Sequence, residues 1–367
     1  MSDLISQTIR TTLEDPRVVG TVMAVQANFY QVRLDENGAL SETSKKPTSL
    51  LCTRRTRLKK IGKKVMVGDR VVVEEPQFAD GRGAIAEILP RKSELTRPQV
   101  ANADRILLLF ALEEPTLDPW QLSKFLVKTE STHLDLCLCL NKTDLVSTEK
   151  QQNWQKRLSE WGYNPVFISV ATGDSIERLQ SCLSEGITIV AGPSGVGKSS
   201  LINQLIPAAK VRVGKVSGKL QKGRHTTRHV ELFELFGSGL LADSPGFNQP
   251  DLDCDPASVA LYFPEARQRL QQGRCQFSDC LHREEPNCVV RGDWERYEYY
   301  LKFLEEAIAR QEALARKPDE ESNLKLKIKS SGKLQYEPKL ESKRYRRTSR
   351  KTRQQNLQQL YEEVEDI

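Results

Sequence analysis

A chain of 367 residues exceeds the size at which one core keeps growing, so two or three domains are expected. Apolar content of 38% beside 28% charged residues fits a soluble globular protein, and the longest apolar run, Ile106 to Leu112, is far short of the roughly 18 residues a membrane span needs. The net charge of +6 is unevenly placed: Lys317 to Arg353 holds 13 Lys and Arg against 5 Asp and Glu, leaving −2 for the rest.

The start, "MSDLISQTIR", lacks a basic stretch followed by an apolar one, so no secretory signal is read and a cytoplasmic location is expected. Next come "RVVGTVMAV", "FYQVRL", "LLCTRRTRL", "RVVVEE" and "AIAEIL", short strand-like runs separated by turn signals such as "ENG", "VGD" and "DGRG". Five such strands suit a small closed barrel of the OB type, placed at 16–98 behind a lead at 1–15. The cationic "TRRTRLKKIGKK" gives it a basic loop, either a nucleic-acid contact or a solvated charge run on a plain scaffold.

From Ala103 the texture changes. "DRILLLFAL", "LDLCLCL", "NPVFISV" and "GITIVAG" are near-continuous apolar runs, the mark of strands buried on both faces of a parallel sheet, with helix-like segments at Trp120 to Glu130 and Lys150 to Trp161. An α/β domain at 99–250 is predicted. Directly after its second strand comes "NKTD", and a carboxylate at Asp144 suits the N1–H and 2-amino donors of guanine, which adenine does not offer. Asn141 would brace the loops, the alkyl stem of Lys142 would cover the ring, and Thr143 completes the turn. "SVATG" ends the next strand, and Ser169 and Val170 belong to a loop expected to meet the guanine carbonyl through a backbone amide.

"GPSGVGKSS" follows an apolar strand and opens a helix, the context a phosphate-binding loop demands. Gly192, Pro193, Ser194, Gly195, Val196 and Gly197 would turn backbone N–H groups inward around the phosphates. Lys198 would reach the β- and γ-phosphates, the hydroxyl of Ser199 would ligate Mg²⁺, and Ser200 stands beside it. Then "GRHTTRH" offers Thr226 or Thr227 to Mg²⁺ as a first switch, and the residues do not separate the two. "HVELFELF", "GSG" and "LLADSPGF" read as a hairpin ending in a second switch, with Asp243 on Mg²⁺ through water and the N–H of Gly246 on the γ-phosphate. Phe247 occupies the position where many GTPases carry a water-orienting Gln. His225 is the candidate replacement, against the alternative that it contacts RNA or packs. Each motif ends a strand, but the base loops precede the phosphate loop, so one circularly permuted site is expected.

Past Pro250 strands become scarce. Cys275, Cys280, His282 and Cys288 have the spacing C-x₄-C-x-H-x₅-C, with no strong apolar run nearby to build a core. Three thiolates and an imidazole make a closed tetrahedral set for one structural Zn²⁺, the alternative being reduced cysteines on a loop. Cys52, Cys137, Cys139, Cys182 and Cys254 are scattered and read as buried thiols. A helix is predicted from an Asp293 N-cap, with Tyr297, Leu301, Leu304 and Ile308 as its apolar stripe, inside a zinc-binding helical domain at 251–317. From 318 to 367 a basic tail is expected to order only on a partner, its Tyr345 and cations suited to RNA, or to remain a solvated chain.

Through "ANADRILLLFAL", "NKTD", "GPSGVGKSS", "KGRHTTRH", "DSPGF" and the cysteine cluster, the chain resembles the RsgA/YjeQ family of circularly permuted GTPases from roughly Gly20 to Lys317. The resemblance implies an OB-fold domain, a permuted GTPase domain and a C-terminal zinc domain, cycling GTP and GDP with Mg²⁺. It implies hydrolysis that is slow alone and stimulated by the small ribosomal subunit, whose rRNA it binds during late maturation. A monomer with no membrane attachment is expected. Two other readings stay open: an rRNA-binding module that holds GTP as a static ligand, favoured by Phe247, and an ATP-using enzyme with a chance "NKTD".

Overall fold

The computed structural model describes residues 17–35, 49–60, 62, 64–206, 230–243, 252–316, 324–328 and 334–338. They fall in two compact units, Met1–Ile308 and Ala309–Ile367.

The first five strands are β1 (Val18–Gln26), β2 (Phe29–Leu34), β3 (Ser49–Arg54), β4 (Arg70–Gln77) and β5 (Arg82–Ile88). They pair in the order β1-β2-β3-β5-β4, and β4 returns to β1 to close the barrel. Closure is possible because alternate residues are apolar: Val22, Tyr30, Val32, Leu50, Cys52, Val71, Val73 and Ile85 point inward and fill the interior. The third strand is shorter than its pattern predicts. It stops at Arg54 and turns into the one-turn helix α1 (Thr56–Lys60), because Leu58 reaches the barrel core from that turn. The basic loop is partly neutralised there, with Arg55 on Glu74 and Glu75 at 3.2 and 2.7 Å. A small hairpin, β6 (Glu94–Thr96) and β7 (Gln99–Ala101), follows the barrel.

The second sheet holds β8 (Arg105–Ala111), β9 (Asp135–Asn141), β10 (Val166–Phe167), β11 (Ile187–Ala191), β12 (Glu231–Glu234) and β13 (Leu240–Asp243). Its order is β10-β9-β8-β11-β13-β12, all parallel except β12, and a single pairing of Ala24 with Glu231 joins it to the barrel. Apolar residues occupy both faces, as the continuous runs require. Ile106, Leu108 and Phe110 pack with α2 (Pro119–Glu130) and α3 (Thr148–Glu160). Leu107, Leu109 and Val190 pack with α4 (Ile176–Cys182) and α5 (Lys198–Leu205) on the other side. The chain builds outward from β8 to β10, then α4 returns it to β11 beside β8. That reversal opens a crevice at the carboxyl ends of β8 and β11, the place where open α/β sheets bind ligands.

After Leu252 come a 3₁₀ segment at Pro256–Tyr262, α6 (Pro264–Gln272) and α7 (Tyr297–Arg316). Two expectations are corrected here. The last helix starts at Tyr297, not behind an Asp293 cap, and its fully buried stripe is Tyr300, Phe303, Leu304 and Ala307. Tyr297, Leu301 and Ile308 are only partly buried because they flank that stripe. The cysteine cluster also has a core beside it: Phe263, Val290, Trp294, Tyr300 and Phe303 pack together and onto Val127 of α2. No run announced this core, since its members come from three separate segments.

In the second unit, the stretch expected to order only on a partner contains an antiparallel hairpin, β14 (Leu324–Ile328) and β15 (Leu334–Pro338), with Leu326 opposite Tyr336. Tyr345 and the remaining tail cations lie outside the described residues.

Candidate nucleotide site and metal centre

Three loops meet at the sheet's carboxyl edge. The phosphate loop leaves β11 through Gly192, whose φ of +137° suits glycine; a Cβ there would sit 2.1 Å from the carbonyl oxygen of Leu109 on β8. It ends at Gly197, φ +99°, where a Cβ would lie 2.4 Å from Asn141 Nδ2. That second glycine therefore permits the base loop to touch the phosphate loop. Lys198 opens α5 and folds back, its Nζ donating to the carbonyls of Gly192 and Pro193 at 2.8 and 2.5 Å. Ser199 and Ser200 stand exposed on the first turn.

Asn141, 2% exposed at the end of β9, joins the loops. Its Nδ2 donates to Val196 O at 2.9 Å and its Oδ1 accepts from Val170 N at 3.1 Å. Thr143 N donates to Ile168 O at 3.2 Å, and Ser169 Oγ donates to Asp144 Oδ1 at 2.5 Å, so the "NKTD" and "SVATG" turns form one unit. Asp144 itself is exposed toward solvent. Lys142 adopts φ +64° and its Nζ donates to the carbonyl of Glu114, in the loop after β8. In that loop Glu113 takes Lys150 Nζ at 2.5 Å and Thr116 Oγ1 at 2.5 Å, and these bonds, Lys150 first, hold its carboxyl below the ordinary value.

All of "NKTD", Ser169, Val170 and residues 192 to 200 thus fall on one edge, with "NKTD" and "SVATG" preceding "GPSGVGKSS" in the chain. The backbone of Asp243 ends β13 next to Val190, on the same edge. The side chain of Asp243 and residues His225, Thr226, Thr227, Gly246 and Phe247 lie outside the described residues. The loop at Glu113 to Thr116 and its tie to Lys150 carry no motif and were not read from the sequence. One signal existed, a lysine in the first turn of α3, where the helix dipole disfavours a cation.

The second site is the cysteine cluster. The ligand atoms of Cys275, Cys280, His282 and Cys288 all lie within 4.8 Å of one another. His282 Nδ1 stands 3.5, 3.4 and 3.3 Å from the sulfurs of Cys275, Cys280 and Cys288, and Cys275 and Cys288 are 3.9 Å apart. Zinc bonded tetrahedrally to sulfur at about 2.3 Å and nitrogen at about 2.0–2.1 Å gives ligand separations of about 3.6–3.8 Å, so the donor set fits. Burial lowers His282, favouring the neutral imidazole that a metal requires. The ligand turn is held from outside: Tyr297 and Tyr300 hydroxyls donate to the carbonyls of His282 and Leu281 at 2.8 and 2.5 Å. Arg291 N donates to Cys288 Sγ at 3.3 Å.

The region around this cluster is bolted to the end of α3. The Arg296 side chain is fully buried, paired with Glu265 at 2.7 and 2.5 Å, and its guanidinium lies 4.7 Å from the Trp161 ring centre and 4.9 Å from that of Phe263. Glu295 accepts from Arg157 Nε at 2.6 Å and from Trp161 Nε1 at 2.7 Å.

Comparison with known proteins bears on this geometry. The profile of the RsgA GTPase family matches residues 88–253. A protein of Trichormus variabilis called small ribosomal subunit biogenesis GTPase RsgA is 63% identical over 363 residues, spanning 95% of this chain and 98% of that one. The chain belongs to the RsgA GTPase family. A mitochondrial member from Arabidopsis thaliana is 40% identical across 100% of this chain and 92% of its own. Among solved structures, YjeQ from Thermotoga maritima is 31% identical with a TM-score of 0.65, covering 80% of this chain and 99% of that one. YloQ, titled a circularly permuted GTPase, is 28% identical with the same TM-score, covering 85% and 100%. The fold is a permuted GTPase domain preceded by an OB-like barrel, and the chain is a GTPase that uses guanine nucleotide and Mg²⁺.

Proposed function

We propose that this chain hydrolyses GTP as a checkpoint on late maturation of the small ribosomal subunit, which accelerates the hydrolysis. The observation that carries the site is the bridge made by Asn141 between phosphate loop and base loops. That bridge supports a reading in which Asp144 and Lys198 serve one nucleotide despite their inverted order. Asp144 reads the guanine edge, Lys142 covers the ring, and the loop amides with Lys198 hold the phosphates and stabilise charge as the γ-phosphoryl group moves to water. Lys198 exchanges its two carbonyl partners for phosphate oxygens. Ser199, one switch threonine and, through water, Asp243 would hold Mg²⁺, which would neutralise phosphate charge. His225 orients the attacking water in place of the residue lost to Phe247. Cys275, Cys280, His282 and Cys288 would hold one structural Zn²⁺, since four protein ligands would leave no position for substrate.

Contact with rRNA is supported by charge and by one exposed face. The barrel span 16–98 holds 16 Lys and Arg against 9 Asp and Glu, so positive charge is not confined to the tail, as the overall count implied. An acidic remainder cancels it in the sum. On the outside of the barrel Phe29 and Leu51 are 50% and 49% exposed, and Leu51 stands between Gln31 and Arg82 in register. An exposed aromatic ring and an arginine on one face of the barrel suit RNA bases and phosphates. No described helix is long and apolar enough to cross a membrane, and we place the protein in the cytoplasm as a monomer. We assign residues 16–98, 99–250 and 251–317 to the barrel, GTPase and zinc regions.

The test is GTP turnover with and without purified small subunits. Acceleration by the subunits is expected; bound GTP that never turns over in either condition would leave only the reading of a static ligand.

A further inference from the structure

The loop after β8 has no assigned task, yet it lies against both the phosphate loop and Lys142. A Cβ on Gly195 would lie 3.6 Å from Pro115 Cδ, so this loop rests against the phosphate loop. On its other side the Glu114 carbonyl takes the Lys142 ammonium. Lys142 is an exacting residue to place, since its backbone sits at φ +64°, a region a side chain adopts only when its surroundings fix it. Its acceptor belongs to a residue that is itself at φ +52°. Both ends of this contact are therefore conformationally costly, and something must hold them together.

The holding group is Glu113. One carboxylate oxygen takes Thr116 Oγ1 within the loop and the other takes Lys150 Nζ from α3, both at 2.5 Å. Lys150 is the third residue of a helix capped by Ser147, whose Oγ accepts from Lys150 N at 3.2 Å. Helix propensity alone would put an acid at that position. A local preference is overridden there, which is common where a residue serves a site.

We propose that Lys150 is a positioning residue for guanine-nucleotide binding: through Glu113 it sets the Glu114 carbonyl, which stretches Lys142 across the purine ring. The inference rests on the guanosine reading of the site. It assigns the loop at Glu113 to Thr116 the task of holding the ring cover, and makes no claim on the base edge.

The test is a double-mutant cycle on GDP affinity. Lys150→Met is expected to raise the Kd for GDP about two- to fivefold, the range for a half-exposed ion pair. It should do so equally for inosine diphosphate, which keeps the ring and lacks the 2-amino group. Lys150→Arg restores binding, and in a Lys142→Met background Lys150→Met costs nothing further. If Lys150→Met lowers stability, Glu113→Gln breaks the same pair from the loop side and should behave alike. The proposal is overturned if Lys150→Met and Glu113→Gln bind GDP as the wild type does, or weaken it as much without Lys142 as with it. A wild type with no affinity for guanine nucleotides would instead remove the site reading itself.

Discussion

Asn141→Ala is the perturbation whose cost can be worked most closely. The side chain is 2% exposed and makes two hydrogen bonds, to Val196 O at 2.9 Å and from Val170 N at 3.1 Å. Alanine strands both partners. Each lost partner in a buried setting costs about 1–3 kcal/mol. Val196 is buried and Val170 only half-buried, so water recovers part of the second loss. The sum is then about 2–4 kcal/mol, or roughly 30- to 1,000-fold in affinity if it is charged to holding the two loops around nucleotide. Asn141→Asp should do no better, because a second carboxylate oxygen would face the Val196 carbonyl. Displacement of fluorescent GDP measures the effect, with zinc content and a melting curve as controls for folding. A folded Asn141→Ala variant that binds GDP within about threefold of wild type would refute the reasoning that this bridge assembles the site.

Removing zinc should expose amides between Pro264 and Gly292 to hydrogen exchange while the barrel stays protected, and metal analysis should find one zinc per chain; finding none removes the metal centre. Cutting the buried pair with Arg296→Met should cost about 3–5 kcal/mol of stability, more than Glu295→Gln at the exposed neighbouring pair, since it leaves Glu265 unpaired; equal melting temperatures for the two variants would contradict this. Burial pushes the Cys52 and Cys137 thiols up to about 11, so the thiolate is scarce at neutral pH and its share rises about tenfold per pH unit up to that value. A thiol reagent at pH 7 should first label Cys182, which is exposed at the end of α4 and not buried as its sequence suggests, and leave Cys52 and Cys137 unmodified; fast labelling of Cys52 would show that the barrel opens.

Much of this was legible because the motifs are local. Gly192, Gly197 and Lys198 declare themselves by spacing, and the strand before and helix after them follow from apolar runs. Asn141 and Asp144 were readable for the same reason, and the contact of Asn141 with the phosphate loop follows from the topology of a parallel sheet. The cysteine and histidine cluster was likewise legible from residue type and spacing, and the four side chains do converge. The parts that escaped depend on contacts between distant segments. Phe263, Trp294 and Phe303 build a core that no contiguous run announces, and Arg296 resembles any surface arginine until Trp161 and Glu265 arrive from elsewhere. Of the four residues expected to form the stripe of the last helix, Leu304 lies in the core while Tyr297, Leu301 and Ile308 border it, and Ala307, small enough to be overlooked, lies within it. The tie from Lys150 to Glu113 joins two charged residues 37 positions apart, and the one local signal, a lysine in the first turn of α3, does not say which partner it takes.

The central claim is that Asp144 and Lys198 serve one guanine nucleotide. Asp144→Asn should lower GDP affinity about 100-fold or more and raise that for xanthosine diphosphate, whose 2-oxo group accepts from the new amide. Adding Lys198→Ala to that variant should abolish the regained binding. A variant that keeps its GDP affinity and gains none for xanthosine diphosphate would mean that Asp144 does not read the base.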